Sequence, residues 1–135
     1  MRKIIVCAIA TLLSTGATMA QEKIVISSAW GKVTAELVDN AATRALLEML
    51  PVTLEMSDHL RQEKTGMLPA SLPQAERQVE FTNGTLGLWS STDFVIYYRN
   101  GRVPRPGIVI LGSVDGDASI FDRPGPVTVQ IDRAD

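Results

Sequence analysis

The sequence predicts a mainly β domain, a closed β-barrel of about eight strands with one short helix after the second strand. Short runs rich in β-branched and aromatic residues alternate with turns that contain Gly, Pro or Asn, which is typical of all-β folds. Only one stretch has the apolar spacing of a helix. A sandwich is the alternative, but a barrel is favoured because closure removes exposed strand edges.

The first half of the chain predicts a hairpin, a helix and a third strand. Residues 23–28 and 33–38 carry β-branched runs on either side of a Gly-containing turn, and we expect them to pair. Asp39 and Asn40 follow, and either can cap a helix. The apolar stripe that follows predicts a helix that ends before Pro51. Residues 52–57 then alternate as a strand does.

The second half predicts further strands over 78–82, 86–89, 92–98, 108–111 and 127–132. Asn83-Gly84 is typical of a type I′ turn, so we expect 78–82 and 86–89 to form a hairpin. Because side chains alternate across a strand, one of Tyr97 and Tyr98 is predicted in the core and the other near the surface. Residues 58–73 are predicted to form a long crossover that its Gly and Pro residues shape.

Residues 1–20 have the pattern of a secretory signal peptide, which leaves 21–135 as one domain. A basic start is followed by an apolar run over 4–13 and then by small residues. The apolar run is shorter than a membrane span. The single cysteine, Cys7, lies in this run, so we expect the domain to be stabilised by its core and not by disulfides. The prediction is an exported protein, periplasmic or secreted, without stable membrane insertion after the leader is removed.

Composition also limits the partners and cofactors. The formal net charge is −2, and loss of the basic start makes the remainder more acidic. Without a Lys/Arg cluster, the domain is a poor candidate for nucleic acid or anionic membranes. His59 is the single histidine, which argues against a zinc site. The acidic stretch at 115–119 lacks the later Gly and Glu of an EF-hand. We therefore expect no metal and no cofactor.

Motifs of one family extend over nearly all of the chain after residue 20. The most specific is Glu-Lys-x-Gly-x-Leu-Pro-x-x-Leu-Pro at 63–73, and others are Asp39-Asn40, Tyr97-Tyr98 and Leu111-Gly112. In these motifs the chain resembles the bacterial cyclophilin-like fold proteins. The resemblance implies a cyclophilin-like β-barrel, in agreement with the strand pattern, and implies much less about activity because the fold defines the family.

Nine residues are candidates for contact with a ligand. Glu63 and Lys64 could act as a pair, the ammonium gripping a carboxylate or carbonyl while the glutamate orients it. Alternatively they form an exposed pair that only fixes a turn. Aromatic side chains at 89, 97 and 98 could line a groove for an extended peptide. The candidate ligand-binding residues are His59, Arg61, Glu63, Lys64, Met67, Trp89, Tyr97, Tyr98 and Arg99.

Departures from the cyclophilin enzymes decide between two functions. Proline isomerases of that type have a Phe-His-Arg segment and a Phe-Met-x-Gln-Gly-Gly segment, and neither occurs here. His59-Leu60-Arg61 matches the first only in part. The sequence therefore favours an exported, non-catalytic domain that binds a peptide segment or a small ligand. The alternative is a divergent peptidyl-prolyl cis-trans isomerase, and no catalytic residue is assigned.

Overall fold

The computed structural model describes residues 22–134, so the predicted leader at 1–20 lies outside the described residues. The strands are β1 Lys23–Ser28, β2 Gly31–Leu37, β3 Val52–His59, β4 Glu63–Met67, β5 Arg77–Gln78, β6 Glu80–Phe81, β7 Thr85–Leu88, β8 Asp93–Tyr97, β9 Gly101–Arg102, β10 Ile108–Val114 and β11 Val127–Arg133. Eight of them form an antiparallel barrel in the order β2-β1-β11-β3-β4-β8-β7-β10, which a β2–β10 pairing closes. The predicted closed barrel is confirmed.

The helix α1, Ala41–Met49, lies between β2 and β3 as predicted. Asn40 is its N-cap: the Asn40 Oδ1 accepts from the Thr43 N–H at 2.8 Å, and the Thr43 Oγ1 accepts from the Asn40 N–H at 3.0 Å. The apolar face of α1, with Ala42 and Leu46, belongs to the main core inside the barrel. No helix within 22–134 is long and apolar enough to cross a membrane.

A second, smaller core lies on the outer face of the barrel. On β8, Phe94 and Ile96 join the interior cluster, whereas Val95 and Tyr97 join a cluster with Phe81. The short ribbon formed by β6 and β9 covers this cluster. Tyr97 and Tyr98 are therefore both buried, and the prediction that one would lie near the surface is wrong. Strand alternation predicts the face on which each side chain lies, but it does not show that a ribbon covers the outer face.

The predicted Asn83-Gly84 hairpin is also wrong. The turn forms, with the Thr85 N–H bonded to the Thr82 carbonyl at 2.9 Å, but the strands on either side do not pair with each other. The strand β7 pairs with β8 on one edge and with β10 on the other, so it has no free edge. The region predicted as one strand over 78–82 is divided between β5, which pairs with β10, and β6, which pairs with β9.

Part of the predicted crossover at 58–73 is a strand. The strand β3 extends to His59 and forms a hairpin with β4, so the connection without regular structure begins only at Leu68. Periodicity did not reveal β4 because it contains Glu63 and Lys64, charged residues that are normally exposed. Both are buried here, on opposite faces of the sheet.

Gly112 permits the barrel to close. It pairs with Leu37 across the β2–β10 seam, and a Cβ added at Gly112 would lie 2.1 Å from the Glu36 carbonyl oxygen.

We expect Gly112→Ala to lower the free energy of unfolding by roughly 3 kcal/mol, the upper end of the range for overpacking. The effect is large because the backbone of the neighbouring strand must move to admit the methyl group. Urea unfolding measures this. Ser113→Ala, an exposed neighbour, is the control, and equal effects of the two substitutions would contradict the prediction.

Candidate functional site

The strand β4 sends its two charged residues to opposite sides of the barrel wall. Glu63 and Thr65 face outward, and Lys64 and Gly66 face the interior. Glu63 is 1 % exposed and Lys64 is fully buried. The two side chains cannot hold one ligand between them, so the expected pairing of an ammonium with an orienting glutamate does not form. They are not an exposed turn pair either, because both lie within the strand.

A pocket of about 370 Å³ opens on the outward side of this wall. Its lining residues are His59, Glu63, Thr65, Trp89, Ser90 and Asp93. Cross-strand pairing produces this grouping, because His59 of β3 lies opposite Glu63 of β4, and Trp89 follows β7 beside the start of β8. Glu63 forms the buried floor, Trp89 is half-buried, and His59 and Ser90 are exposed at the rim.

The Glu63 carboxylate is held by neutral donors. Its Oε1 accepts from the Gln62 side-chain N–H at 2.7 Å, and its Oε2 accepts from the Trp89 ring N–H at 3.2 Å. No lysine or arginine within 22–134 forms a salt bridge with it. Two acceptor sites of the carboxylate remain unused. The pocket also contains Asp93, so its fixed charge is negative.

The hydroxyl of Tyr97 lies beside this floor without a hydrogen-bond partner. Tyr97 pairs with Glu63 across β4 and β8, and its ring stacks on Phe81 with centroids 3.8 Å apart. Burial raises the pKa of Tyr97 and the Glu63 carboxylate raises it further, and together they outweigh the opposite effect of the nearby Trp89 ring N–H, whose hydrogen bond goes to Glu63. The hydroxyl therefore keeps its proton. An unpartnered buried hydroxyl lowers the free energy of unfolding by about 1–3 kcal/mol. In this protein the hydroxyl that carries this penalty lies beside the pocket.

On the interior side, Lys64 is fully bonded to the protein. Its ammonium donates to Asp58 Oδ1 at 2.9 Å, to the carbonyl of Gly125 at 2.8 Å and to the carbonyl of Arg123. The ammonium also lies 5.1 Å from the centroid of the Trp30 ring. Because an ammonium has three protons, none remains for a ligand. Lys64 attaches the β3–β4 hairpin to the loop before β11.

Asp58 is the centre of this interior network. It accepts from the Tyr98 hydroxyl as well as from Lys64, and Arg61 lies 3.3 Å from the same oxygen. Burial raises the pKa of Asp58, but the Tyr98 and Lys64 hydrogen bonds lower it more, so the net shift is downward. The network extends outward through Arg61 to Asp122 at 2.8 Å.

Asp122 joins the two arginine candidates. Arg61 and Arg99 both donate to its Oδ1, at 2.8 and 3.2 Å. Burial acts to raise the pKa of Asp122, and the hydrogen bonds from Arg99 and Arg61 outweigh it and lower the pKa. Both guanidinium groups are thus engaged by the protein at the rim of the interior network.

The nine predicted residues therefore divide between the two faces. His59, Glu63 and Trp89 line the outer pocket, and Tyr97 lies beside it. Four belong to the interior network: Arg61, Lys64, Tyr98 and Arg99. Met67 is 69 % exposed and does not line the pocket.

Sequence reasoning missed three pocket residues, Thr65, Ser90 and Asp93. The signal was present in principle. Thr65 follows Glu63 by two positions, and Asp93 precedes Val95 and Tyr97 by even steps, so β4 paired with β8 would have placed them on one face. Asp58 and Asp122 were also missed, because no local pattern brings residues 64 positions apart together.

A second pocket, of about 390 Å³, lies near the start of α1 and the strand β5. Its lining includes Asp39, Asn40 and Arg77. The Arg77 guanidinium donates to the carbonyls of Gly107, at 2.8 Å, and Trp89, at 3.3 Å, and the Asn40 amide donates to the carbonyl of Ile110 at 3.1 Å. These groups are already bonded within the fold, which makes this pocket the weaker candidate.

Replacement of Lys64 tests its structural role. We expect Lys64→Met to lower the free energy of unfolding by about 3–5 kcal/mol, because it leaves the Asp58 carboxylate without its buried counter-charge. Equilibrium urea unfolding is the measurement, with exposed Lys32→Met as the control. The double variant Lys64→Met/Asp58→Asn should recover part of the loss. A loss under 1 kcal/mol in the single variant would contradict the role.

Acid should weaken the same network. The pKa values of Asp58 and Asp122 are lowered in the folded state, so their contribution is fully present above the unfolded carboxyl pKa of about 3.9. It is lost as the pH falls through the lower folded values. We expect the free energy of unfolding to decrease once the pH is lowered below about 4. The slope should be smaller in Asp58→Asn, and an unchanged slope in that variant would show that Asp58 does not contribute.

Comparisons with known proteins agree with the barrel. The sequence model of the Cyclophilin-like family matches residues 26–132. The solution structure of a hypothetical protein from the archaeon Archaeoglobus fulgidus is similar in fold, with a TM-score of 0.67 at 12 % identity, over 89 % of this chain and 100 % of that chain. At this identity the likeness concerns the fold alone. No curated protein matches.

The family match covers most of the chain, including β4, both faces of the barrel wall and the strands that close the barrel. The predicted resemblance is confirmed, and this protein belongs to the Cyclophilin-like family.

Proposed function

We propose that this protein is an exported, non-catalytic binding domain that holds a small ligand or a peptide segment in the outer pocket. One observation carries the proposal: Glu63 is a buried carboxylate that forms the floor of an open pocket beside a half-buried tryptophan. The pocket volume of about 370 Å³ lies within the 300–1,000 Å³ typical of small-molecule sites. Export is supported by the leader pattern of residues 1–20.

The contacts of the two arginine candidates favour binding over proline isomerisation. An isomerase of the cyclophilin type needs an arginine that polarises the prolyl amide, as the family resemblance implies. Arg61 and Arg99 instead donate to Asp122, and Arg61 also donates to Tyr98. The outer pocket is lined by no arginine among residues 22–134. A divergent isomerase remains the alternative function.

The two tryptophans provide an internal control for a binding test. The Trp89 ring N–H faces the pocket and bonds Glu63, whereas Trp30 lies against Lys64 and Phe121 on the other side of the wall. We expect small fragments that bind the protein to shift the NMR signal of the Trp89 ring N–H and not that of Trp30. Heteronuclear NMR with a set of cationic, neutral and anionic fragments is the measurement.

Two outcomes would count against the proposal. If bound fragments perturb Asn40 and Arg77 at the second pocket and leave Trp89 unchanged, the outer pocket is not the site. If the purified domain accelerates isomerisation of an X-Pro peptide, and Arg99→Ala abolishes that activity while circular dichroism shows an intact fold, the protein is an isomerase. Arg99→Ala is the cleaner variant, because the Arg99 side chain hydrogen-bonds Asp122 and lies over the Tyr98 ring, whereas Arg61 also hydrogen-bonds Asp58 and the Tyr98 hydroxyl.

A further inference from the structure

The outer pocket combines negative charge, a buried acceptor and an aromatic wall. Its two ionisable acids are Glu63 and Asp93, and neither lysine nor arginine lines it within the described chain. A carboxylate taken out of water is costly unless it is paired with a cation or fully hydrogen-bonded. Glu63 has two neutral donors and no cationic partner within the described chain, so the bottom of this open site can accept a cation from a ligand.

Several side chains that line the pocket can accept a hydrogen bond from a ligand. Glu63 keeps two unused acceptor sites, and the Thr65 and Ser90 hydroxyls can accept as well. Trp89 is half-buried at the pocket, and tryptophan binds a cation over its ring more strongly than tyrosine or phenylalanine does. An anion would meet Glu63 and Asp93, and no lysine or arginine among residues 22–134 lines the pocket to offset them.

Tyr97 lies next to Glu63 on the same face of the sheet. Its hydroxyl is buried and unpartnered on the face that carries Glu63 and Trp89. The Trp89 ring N–H lies close by but is used by Glu63. Because this hydroxyl forms no hydrogen bond to Glu63, it leaves the acceptor sites of the carboxylate open to a donor from the pocket.

We infer that the ligand of the outer pocket carries an organic cation, a primary ammonium or a guanidinium on an apolar body. This inference rests on the proposed function. The cation donates to Glu63 on the floor, Asp93 adds charge at the rim, and the apolar body lies against Trp89. Such a group comes either from a free small amine or from a lysine or arginine side chain of a bound peptide. Both sources present a cationic hydrogen-bond donor on an apolar stem.

The test compares probes of matched size and different charge. Benzylammonium, benzyl alcohol and benzoate are titrated separately while the Trp89 ring N–H signal is followed. We expect benzylammonium to bind at least about tenfold more tightly than either of the others, as a charge-assisted hydrogen bond to a desolvated carboxylate allows. Equal or tighter binding of benzyl alcohol or benzoate would overturn the inference while leaving the proposed binding function intact. Absence of binding by all three probes would overturn it too.

Three variants assign the effect to the site. Glu63→Gln keeps an acceptor for Trp89 and should weaken benzylammonium binding about tenfold or more, with little effect on benzyl alcohol. Glu55→Gln is the matched control, because Glu55 is an exposed carboxylate on the outer face of β3 that does not line the pocket. Its effect should stay within about twofold. If Glu63→Gln does not fold, Asp93→Asn should still weaken benzylammonium selectively. Equal losses in Glu55→Gln and in the pocket variant would contradict a specific site.

Tyr97→Phe tests whether the hydroxyl beside Glu63 is needed for binding. The substitution keeps the stacking on Phe81 and removes the unpartnered hydroxyl. We expect the melting temperature to rise or stay unchanged, because an unpartnered buried hydroxyl is destabilising. Benzylammonium affinity should stay within about twofold, because Tyr97 does not line the pocket and the cation binds Glu63. A severalfold loss of affinity would contradict this assignment.

The source of the cation is resolved by two further probes. N-acetyl-lysine-N-methylamide and N-acetyl-arginine-N-methylamide present the same charged groups on a peptide backbone. Tighter binding of either than of benzylammonium identifies a peptide side chain as the source. Tighter binding of benzylammonium identifies a free amine, and both results support a cation site.

Discussion

The structure depends on one constraint, the alternation of side chains across β4. Because neighbouring residues of a strand face opposite sides, Glu63 enters an outer pocket and Lys64 enters the barrel. Both carry charge and both are buried. Lys64 meets the cost of its burial with Asp58 and two carbonyls. Glu63 has no cationic partner within the described chain, and this asymmetry is the reason that we assign Lys64 to the fold and propose Glu63 as a ligand contact.

The interior network explains why a barrel would retain a lysine in its wall. Replacing buried ion pairs with apolar residues is often neutral for stability, so charge alone is weak support. Here, however, the ammonium contacts the loop before β11 through its carbonyl groups and the β3–β4 hairpin through Asp58. Tyr98 and Arg61 add further bonds to the same carboxylate. The network thus fixes one end of the barrel wall while the outer face stays available.

The closed barrel, the helix and the family could be predicted from the sequence, since these follow from local patterns. The structure then selects Asn40 over Asp39 as the helix cap. The sequence did not allow the partner strands of 78–82 to be predicted, because pairing depends on which edges are free, as at β7. Nor did it reveal β4, because Glu63 and Lys64 are charged, and adjacent charged residues normally indicate an exposed loop. The candidate ligand-binding residues stay a prediction. Three of them, His59, Glu63 and Trp89, line one pocket, but the sequence did not show that Lys64 and Tyr98 lie on the other face of the wall.

A crystal structure of the protein with bound benzylammonium tests the separation of Glu63 from Lys64 most directly. We expect the ligand nitrogen at about 2.8 Å from a Glu63 carboxylate oxygen, a charge-assisted hydrogen bond. The Lys64 ammonium should remain bonded to Asp58, as in the unliganded protein. A ligand placed inside the barrel against Lys64, or bound without contact to Glu63, would contradict it.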